Sequence, residues 1–193
     1  MTKPSRKDEI LRALVTMLEN QPGARITTAS LAREVGVSEA ALYRHFPSKA
    51  KMLEGLIEFI EDSLFTRISR IMTEEPTAQA RCNKLLSLLL SFAEFNPGLA
   101  RLMVGEALQG ETERLRDRIR QIFDRLETQL RLILREWAVT RVPGPELGTA
   151  AAANLLLSTA EGRINQFVRS EFRSLPTTNW PEQWEALERS VFR

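Results

Sequence analysis

The chain has very little of what covalent and metal chemistry usually requires. It holds one cysteine, Cys82, and one histidine, His45, in 193 residues. A lone cysteine excludes an intramolecular disulfide and a cysteine-based structural zinc site. Cys82 lies in an apolar-flanked helical stretch and is expected to be an inert core or boundary thiol. No glycine-rich phosphate loop and no cluster with metal-ligand spacing occurs. The acidic pairs Glu61-Asp62 and Glu74-Glu75 fall on helix ends or exposed faces, where solvation accounts for them. Neither an enzyme nor a cofactor is expected.

Long apolar runs are missing as well. The most apolar stretch, Leu85 to Phe92, spans eight residues and is interrupted by Ser87 and Ser91. A membrane helix needs about 20. The opening MTKPSRKDEI is charged but lacks the apolar core of a signal peptide. A soluble, cytoplasmic protein is expected. No internal repeat or low-complexity segment is evident.

What is present is helical periodicity over a length that can bury a proper core. Ile10, Leu11, Leu14, Val15 and Leu18 mark the inner face of a first helix from Ser5 to Glu19, stopped by Gln21-Pro22-Gly23. A stripe including Leu53, Ile57, Ile60, Leu64 and Ile68 predicts a long helix from Ser48 to Met72, with a domain boundary inside it near Glu54. Ala78 to Glu94 is apolar nearly all round and is expected to be buried. Asn96-Pro97-Gly98 stops it, and a short helix runs from Leu99 to Leu108. A long helix follows from Glu111 to Trp137, in which Arg114, Arg116, Arg118 and Arg120 alternate with acids and read as a solvated face. Val142-Pro143-Gly144-Pro145 is the clearest loop. Glu146 to Phe172 forms a helix rich in small residues (Ala150 to Ala153, Ser158, Ala160, Gly162), which with its predecessor is expected to make a dimer interface. A tail helix lies around Pro181 to Phe192. The expected fold class is all-α, with a small DNA-binding part over residues 1–53 and a larger helical part over residues 54–193.

The small part is read from Ile26 to Lys49, ITTASLAREVGVSEAALYRHFPSK. Thr27 and Thr28 are helix-start residues, because an N-cap hydroxyl accepts from an unpaired backbone N–H. Leu31, Ala32 and Val35 form one apolar face, and Gly36 supplies the turn. Ser38 caps a second helix that packs through Ala40, Ala41 and Leu42, and Phe46-Pro47 ends it. These signals in this order predict a helix-turn-helix. Charge agrees: residues 1–51 carry nine Lys/Arg against five acids, so this segment is +4 and the remainder −2. A positive excess around such a motif suits contact with phosphates.

A recognition helix from Ser38 to Arg44 fits the DNA major groove, with its predecessor across the backbone. Its outward groups are Ser38, Glu39, Tyr43 and Arg44. Two readings stand for Glu39: acceptor from a cytosine amino group, or an acid that helps the helix start. Two stand for His45: a phosphate contact, or a cap on the helix end. Thr28 reaches a phosphate or base edge, Tyr43 a phosphate, and Lys49 adds its charge to a helix start that favours anions. A twofold dimer would place two such helices about 34–36 Å apart and prefer a near-palindromic site.

The segment AALYRHFPSK, preceded by TTASLAREVGVS, resembles the amino-terminal signature of the TetR family of DNA-binding regulators, and the helix plan is similar too. A narrower resemblance, to nucleoid occlusion factors of that family, rests on GVSEAALYRHFPSK, LIEFIEDSL, TRI, NPGL, FVRSEF and the stretch from Leu115 to Glu136. It implies a homodimer, with dimers pairing further on DNA as an option, that acts at the nucleoid. Bound to chromosomal sites, such a dimer captures the carboxy-terminal tail of the tubulin-like division protein FtsZ and blocks division-ring assembly. By position the partner groove includes Phe59, Arg67, Leu88, Ser91 and Asn96. Ser91 stands where the resemblance leads one to expect glycine, and Phe95 where it leads one to expect a basic residue. The alternative is a ligand-controlled TetR-type repressor, its pocket lined by residues such as Phe92, Leu102, Met103 and Leu156.

Overall fold

The computed structural model describes residues 5–21, 26–140 and 146–193, so the Pro22-Gly23 stop and the Val142 to Pro145 loop lie outside the described residues. Among the described residues there are nine α-helices and no strand: α1 Arg6–Asn20, α2 Thr28–Val35, α3 Glu39–His45, α4 Lys49–Glu74, α5 Ala78–Phe95, α6 Pro97–Met103, α7 Glu113–Val139, α8 Thr149–Arg169 and α9 Trp180–Val191. None is long and apolar enough to cross a membrane.

The helix starts follow capping chemistry. Ser5 caps α1 by accepting from the Asp8 N–H, while the Asp8 carboxylate accepts from the Ser5 N–H at 2.9 Å. The Ser5 hydroxyl also donates to that carboxylate at 2.7 Å and is the main cause of a pKa held below the usual carboxylate range, followed by the Ser5 N–H, with Arg12 adding a smaller effect. A helix start and two helix ends differ from the periodicity: α8, expected from Glu146, begins at Thr149 after Gly148. The short helix expected to reach Leu108 stops at Met103; Val104 closes it and a separate 3-10 turn covers Glu106–Leu108. α8 ends at Arg169, short of Phe172, because Glu171 and Phe172 adopt left-handed φ of 53° and 66°. An apolar repeat reports which face is buried, not where the backbone leaves the helix.

The helices assort into two compact units. The first comprises Met1–Glu61 with Asn96–Ile119, the second Asp62–Phe95 with Arg120–Arg193. The chain therefore enters each unit twice. This division by packing does not coincide with the boundary expected near Glu54, which divides the chain by role.

The first unit closes on Ile10, Leu14, Leu31, Leu42, Leu53 and Ile57, all buried. α6 presses against α1 at Gly98, where an added Cβ would overlap the Val15 carbonyl oxygen and lie 3.2 Å from the Glu19 amide nitrogen. One turn on, Arg101 is only 4% exposed. Its guanidinium donates to the carbonyls of Leu18 and Gln21 and pairs with Glu106 at 2.6 Å. It thus caps the carboxyl end of α1, where backbone acceptors lack partners.

A set of ion pairs ties the start of α7 to α4. Lys49 pairs with Glu111, Arg114 with Glu54, and Arg118 with Glu58 and Glu61. Burial works against the Arg118 charge, but the bonds and charge of Glu61 and Glu58 outweigh it and raise its pKa. Arg116 donates to the carbonyls of Leu108 and Glu111. Arg114, Arg116 and Arg120 are exposed, as a solvated face requires, while the half-buried Arg118 is a structural tie that the sequence reading did not foresee. Arg114, Arg118 and their acidic partners stand roughly 60 residues apart, beyond any local charge pattern.

The second unit packs α5 against α8, with Leu85, Leu89, Leu126, Leu130, Leu156 and Ile164 buried. The Trp180 indole N–H lies 3.1 Å from the Asn83 amide oxygen and 2.9 Å from the Ser87 hydroxyl, docking α9 on α5. Cys82 is fully buried, and burial pushes its thiol up to about 12, which leaves no reactive thiolate near neutrality.

Candidate nucleic-acid interface

α2 begins at Thr27, whose hydroxyl accepts from the Ser30 N–H while the Ser30 hydroxyl accepts from the Thr27 N–H, each at 3.1 Å. Thr27 is thereby engaged in holding the helix start. Ser30, its partner in the capping box, was not singled out in the sequence. Gly36 closes α2 at φ 74°; nothing within 4 Å would obstruct a Cβ, so its requirement is conformational alone. The Val37 N–H reaches back to the Ala32 carbonyl at 2.9 Å, turning the chain into α3. Ser38 then caps α3 by accepting from the Ala41 N–H at 3.1 Å.

On the face of this hairpin three expected contact residues form one relay. The Tyr43 hydroxyl lies 3.2 Å from the Thr28 hydroxyl, and Thr28 donates to the Glu39 carboxylate at 2.9 Å. The relay links the start of α2 to the first and fifth residues of α3. It gives Glu39 a role beyond the two read from sequence, since its carboxylate orients Thr28. Leu42 is fully buried and anchors α3, but Ala40 is exposed and Ala41 half-buried. The expectation that all three pack inward is therefore corrected: a helix of seven residues buries one narrow stripe, and Ala40 falls on the outer side beside Glu39. Arg44 is exposed and His45 half-buried in the last turn, which the Phe46 N–H closes on the Leu42 carbonyl at 3.0 Å.

Lys49 is the first residue of α4, just after Ser48, whose hydroxyl accepts from the Lys51 N–H at 3.2 Å. Its ammonium lies 2.8 Å from the Glu111 carboxylate. Proximity of an acid to this lysine was invisible in the sequence.

Of the residues assigned to a partner groove, Phe59 and Asn96 belong to the first unit. There both line an open cavity of about 510 Å³ with Asp8, Leu11, Arg12, Val15, Thr16, Leu56 and Leu99. Phe59 is 53% exposed. α1 supplies much of this wall and was not part of the expected groove. Arg67 is exposed, and Leu88 and Ser91 are half-buried, in the second unit. Phe92, Leu102, Met103 and Leu156, which a ligand pocket would need, are buried in the cores of their units.

Comparison with known proteins agrees with this architecture. Residues 10–56 match the family described as "Bacterial regulatory proteins, tetR family", and residues 76–191 match the SlmA-like pattern described as "Tetracyclin repressor-like, C-terminal domain". The nucleoid occlusion factor SlmA of Marinomonas sp. (strain MWYL1) is 58% identical over 98% of this chain and 96% of its own. That of Shewanella pealeana is 59% identical over 99% and 97%. In fold, the chain superposes on the fatty acid degradation regulator FadR of Bacillus halodurans with a TM-score of 0.80, covering 97% of this chain and 96% of that one at 18% identity. With both family patterns in place and well over half its residues shared with such relatives along nearly the whole chain, the protein belongs to the SlmA family of TetR-type nucleoid occlusion factors.

Proposed function

We propose that the protein works as a homodimer that binds near-palindromic chromosomal sites and, once bound, captures the carboxy-terminal tail of FtsZ, blocking division-ring assembly over the nucleoid. The DNA contacts come from the outer face of α3 with Thr28, Tyr43, Arg44, His45 and Lys49. Thr27 and Ser38 hold the two helix starts, and Glu39 orients Thr28. The observation that carries the partner reading is an exposed aromatic, Phe59, beside Asn96 on a cavity floored by Leu11, Val15, Leu56 and Leu99, in the same compact unit as the helix-turn-helix. Such a surface suits an extended, partly apolar peptide. Arg67, exposed in the second unit, offers a cation of the kind an acidic tail binds, and with Leu88 and Ser91 it enters the partner reading through the family resemblance. The dimer forms through α7 and α8. Ala151, Leu155, Ser158 and Gly162 are all exposed and recur at helical spacing on α8, and Leu132 and Val139 are exposed on α7.

Titration of the purified protein with a synthetic FtsZ tail peptide, with and without bound chromosomal DNA fragments, tests this reading. Tail binding is expected to be stronger with DNA present, and Arg67→Asp is expected to abolish it while sparing DNA affinity. No tail binding in either condition would reject FtsZ as the partner and leave the DNA reading standing.

A further inference from the structure

The Lys49–Glu111 pair places a carboxylate against a lysine that the proposed function assigns to a DNA phosphate. At 2.8 Å, with side chains 24% and 17% exposed, the two charges are close and partly shielded from water. Glu111 is held in place on both sides. Its N–H donates to the Leu108 carbonyl at 3.1 Å, and its own carbonyl accepts from Arg116 at 3.0 Å. The helix that follows is tied to α4 again through Arg114 and Arg118. The carboxylate is thus fixed before the first residue of α4 by its own segment, unlike an acid on a free loop.

We propose that Glu111 is a built-in counter-ion that competes with DNA phosphate for Lys49 and lowers the affinity of the protein for duplex DNA. The inference rests on the reading of Lys49 as a phosphate contact. A phosphate that meets a lysine already neutralised gains little attraction and displaces few condensed cations, and the nearby carboxylate repels it. Phosphate attraction is independent of base sequence, so a competitor at this contact keeps sequence-independent binding weak. The protein is then less readily spread over the large excess of unspecific chromosome. Base-reading groups on α3 are untouched by it.

The test is fluorescence anisotropy on a short random-sequence duplex across a salt series, with the full-length parent, Glu111→Gln, Glu111→Ala, Lys49→Ala and the Lys49→Ala/Glu111→Gln double variant. Both glutamate variants are expected to bind several-fold more tightly at low salt, with the salt slope steeper by about one phosphate contact. In the Lys49→Ala background most of that gain is expected to vanish. Weaker or unchanged binding in both glutamate variants overturns the proposal, since it makes Glu111 a group that positions Lys49 or one that does not touch it. A full gain that survives Lys49→Ala overturns it too. If Lys49→Ala leaves affinity and slope unchanged even in the Glu111→Gln background, the phosphate reading of Lys49 fails and the proposal with it. If Lys49→Ala weakens binding while the glutamate variants do not strengthen it, the competitor alone is rejected.

Discussion

Gly98 is a place where a single methyl group decides whether two helices can meet. Its missing Cβ leaves room for the Val15 carbonyl, a backbone atom that cannot swing aside. Gly98→Ala is expected to destabilise the fold by about 1–3 kcal/mol, as overpacking usually does. The thermal midpoint should fall roughly 2–4 °C for each kcal/mol lost, and an unchanged midpoint would show that α6 yields without cost. The neighbouring Arg101 makes the opposite point about legibility. Asn96-Pro97-Gly98 is readable in a sequence as a stop, because proline acts through local backbone geometry, though Pro97 and Gly98 already open α6. A buried arginine that caps a helix some 80 residues away leaves no local trace. The same holds for the relay on the DNA face. Thr28, Glu39 and Tyr43 were each legible as exposed polar groups of a helix-turn-helix, but not their mutual hydrogen bonds, which need α2 and α3 already crossed.

Among the elements, α4 owes its attachment to α7 to charge as well as to apolar packing. Glu54, only 8% exposed, is the most enclosed acid in that set. The hydrogen bond from Lys51 is the largest cause of its lowered pKa; partial burial opposes it, and Arg114, Lys51 and Arg118 add attraction. A carboxyl whose folded pKa is depressed contributes stability above its unfolded pKa and loses it as pH falls through the folded value. Glu54→Gln is therefore expected to destabilise at neutral pH by about 1 kcal/mol or less. The gap from the parent should close as the medium is acidified below the ordinary glutamate range. Denaturant titrations at a series of pH values check this, and a gap that persists in acid would assign the effect to packing. The helices themselves were legible almost throughout, since their apolar stripes repeat for many turns. What the stripes could not show was the early end of α8, set by left-handed backbone at Glu171 and Phe172, or which way Ala40 faces in a helix of seven residues.

For the whole molecule the proposed dimer turns two weak half-site contacts into one strong one. Leu155 stands exposed in the small-residue stripe of α8, so a charge there must be buried unpaired if the stripe is the interface. Leu155→Arg is expected to shift the protein toward monomer in sedimentation and to cut its affinity for a palindromic site by tenfold or more, on the order of the 1–3 kcal/mol such a change removes. A dimer that withstands it would move the interface elsewhere.

The order in which the chain visits its two units has a consequence for synthesis. The helix-turn-helix is complete in sequence by Lys49, yet the unit that contains it also takes in Asn96–Ile119. α1 has neither its Gly98 contact nor its Arg101 cap until that second visit has left the ribosome. A nascent chain of ordinary elongation rate, roughly 5–20 residues per second, spends several seconds with a DNA-reading segment whose supports do not yet exist. The domain that reads the chromosome is therefore completed late, and a fragment ending near residue 53 is expected to be less stable than its tidy motif suggests.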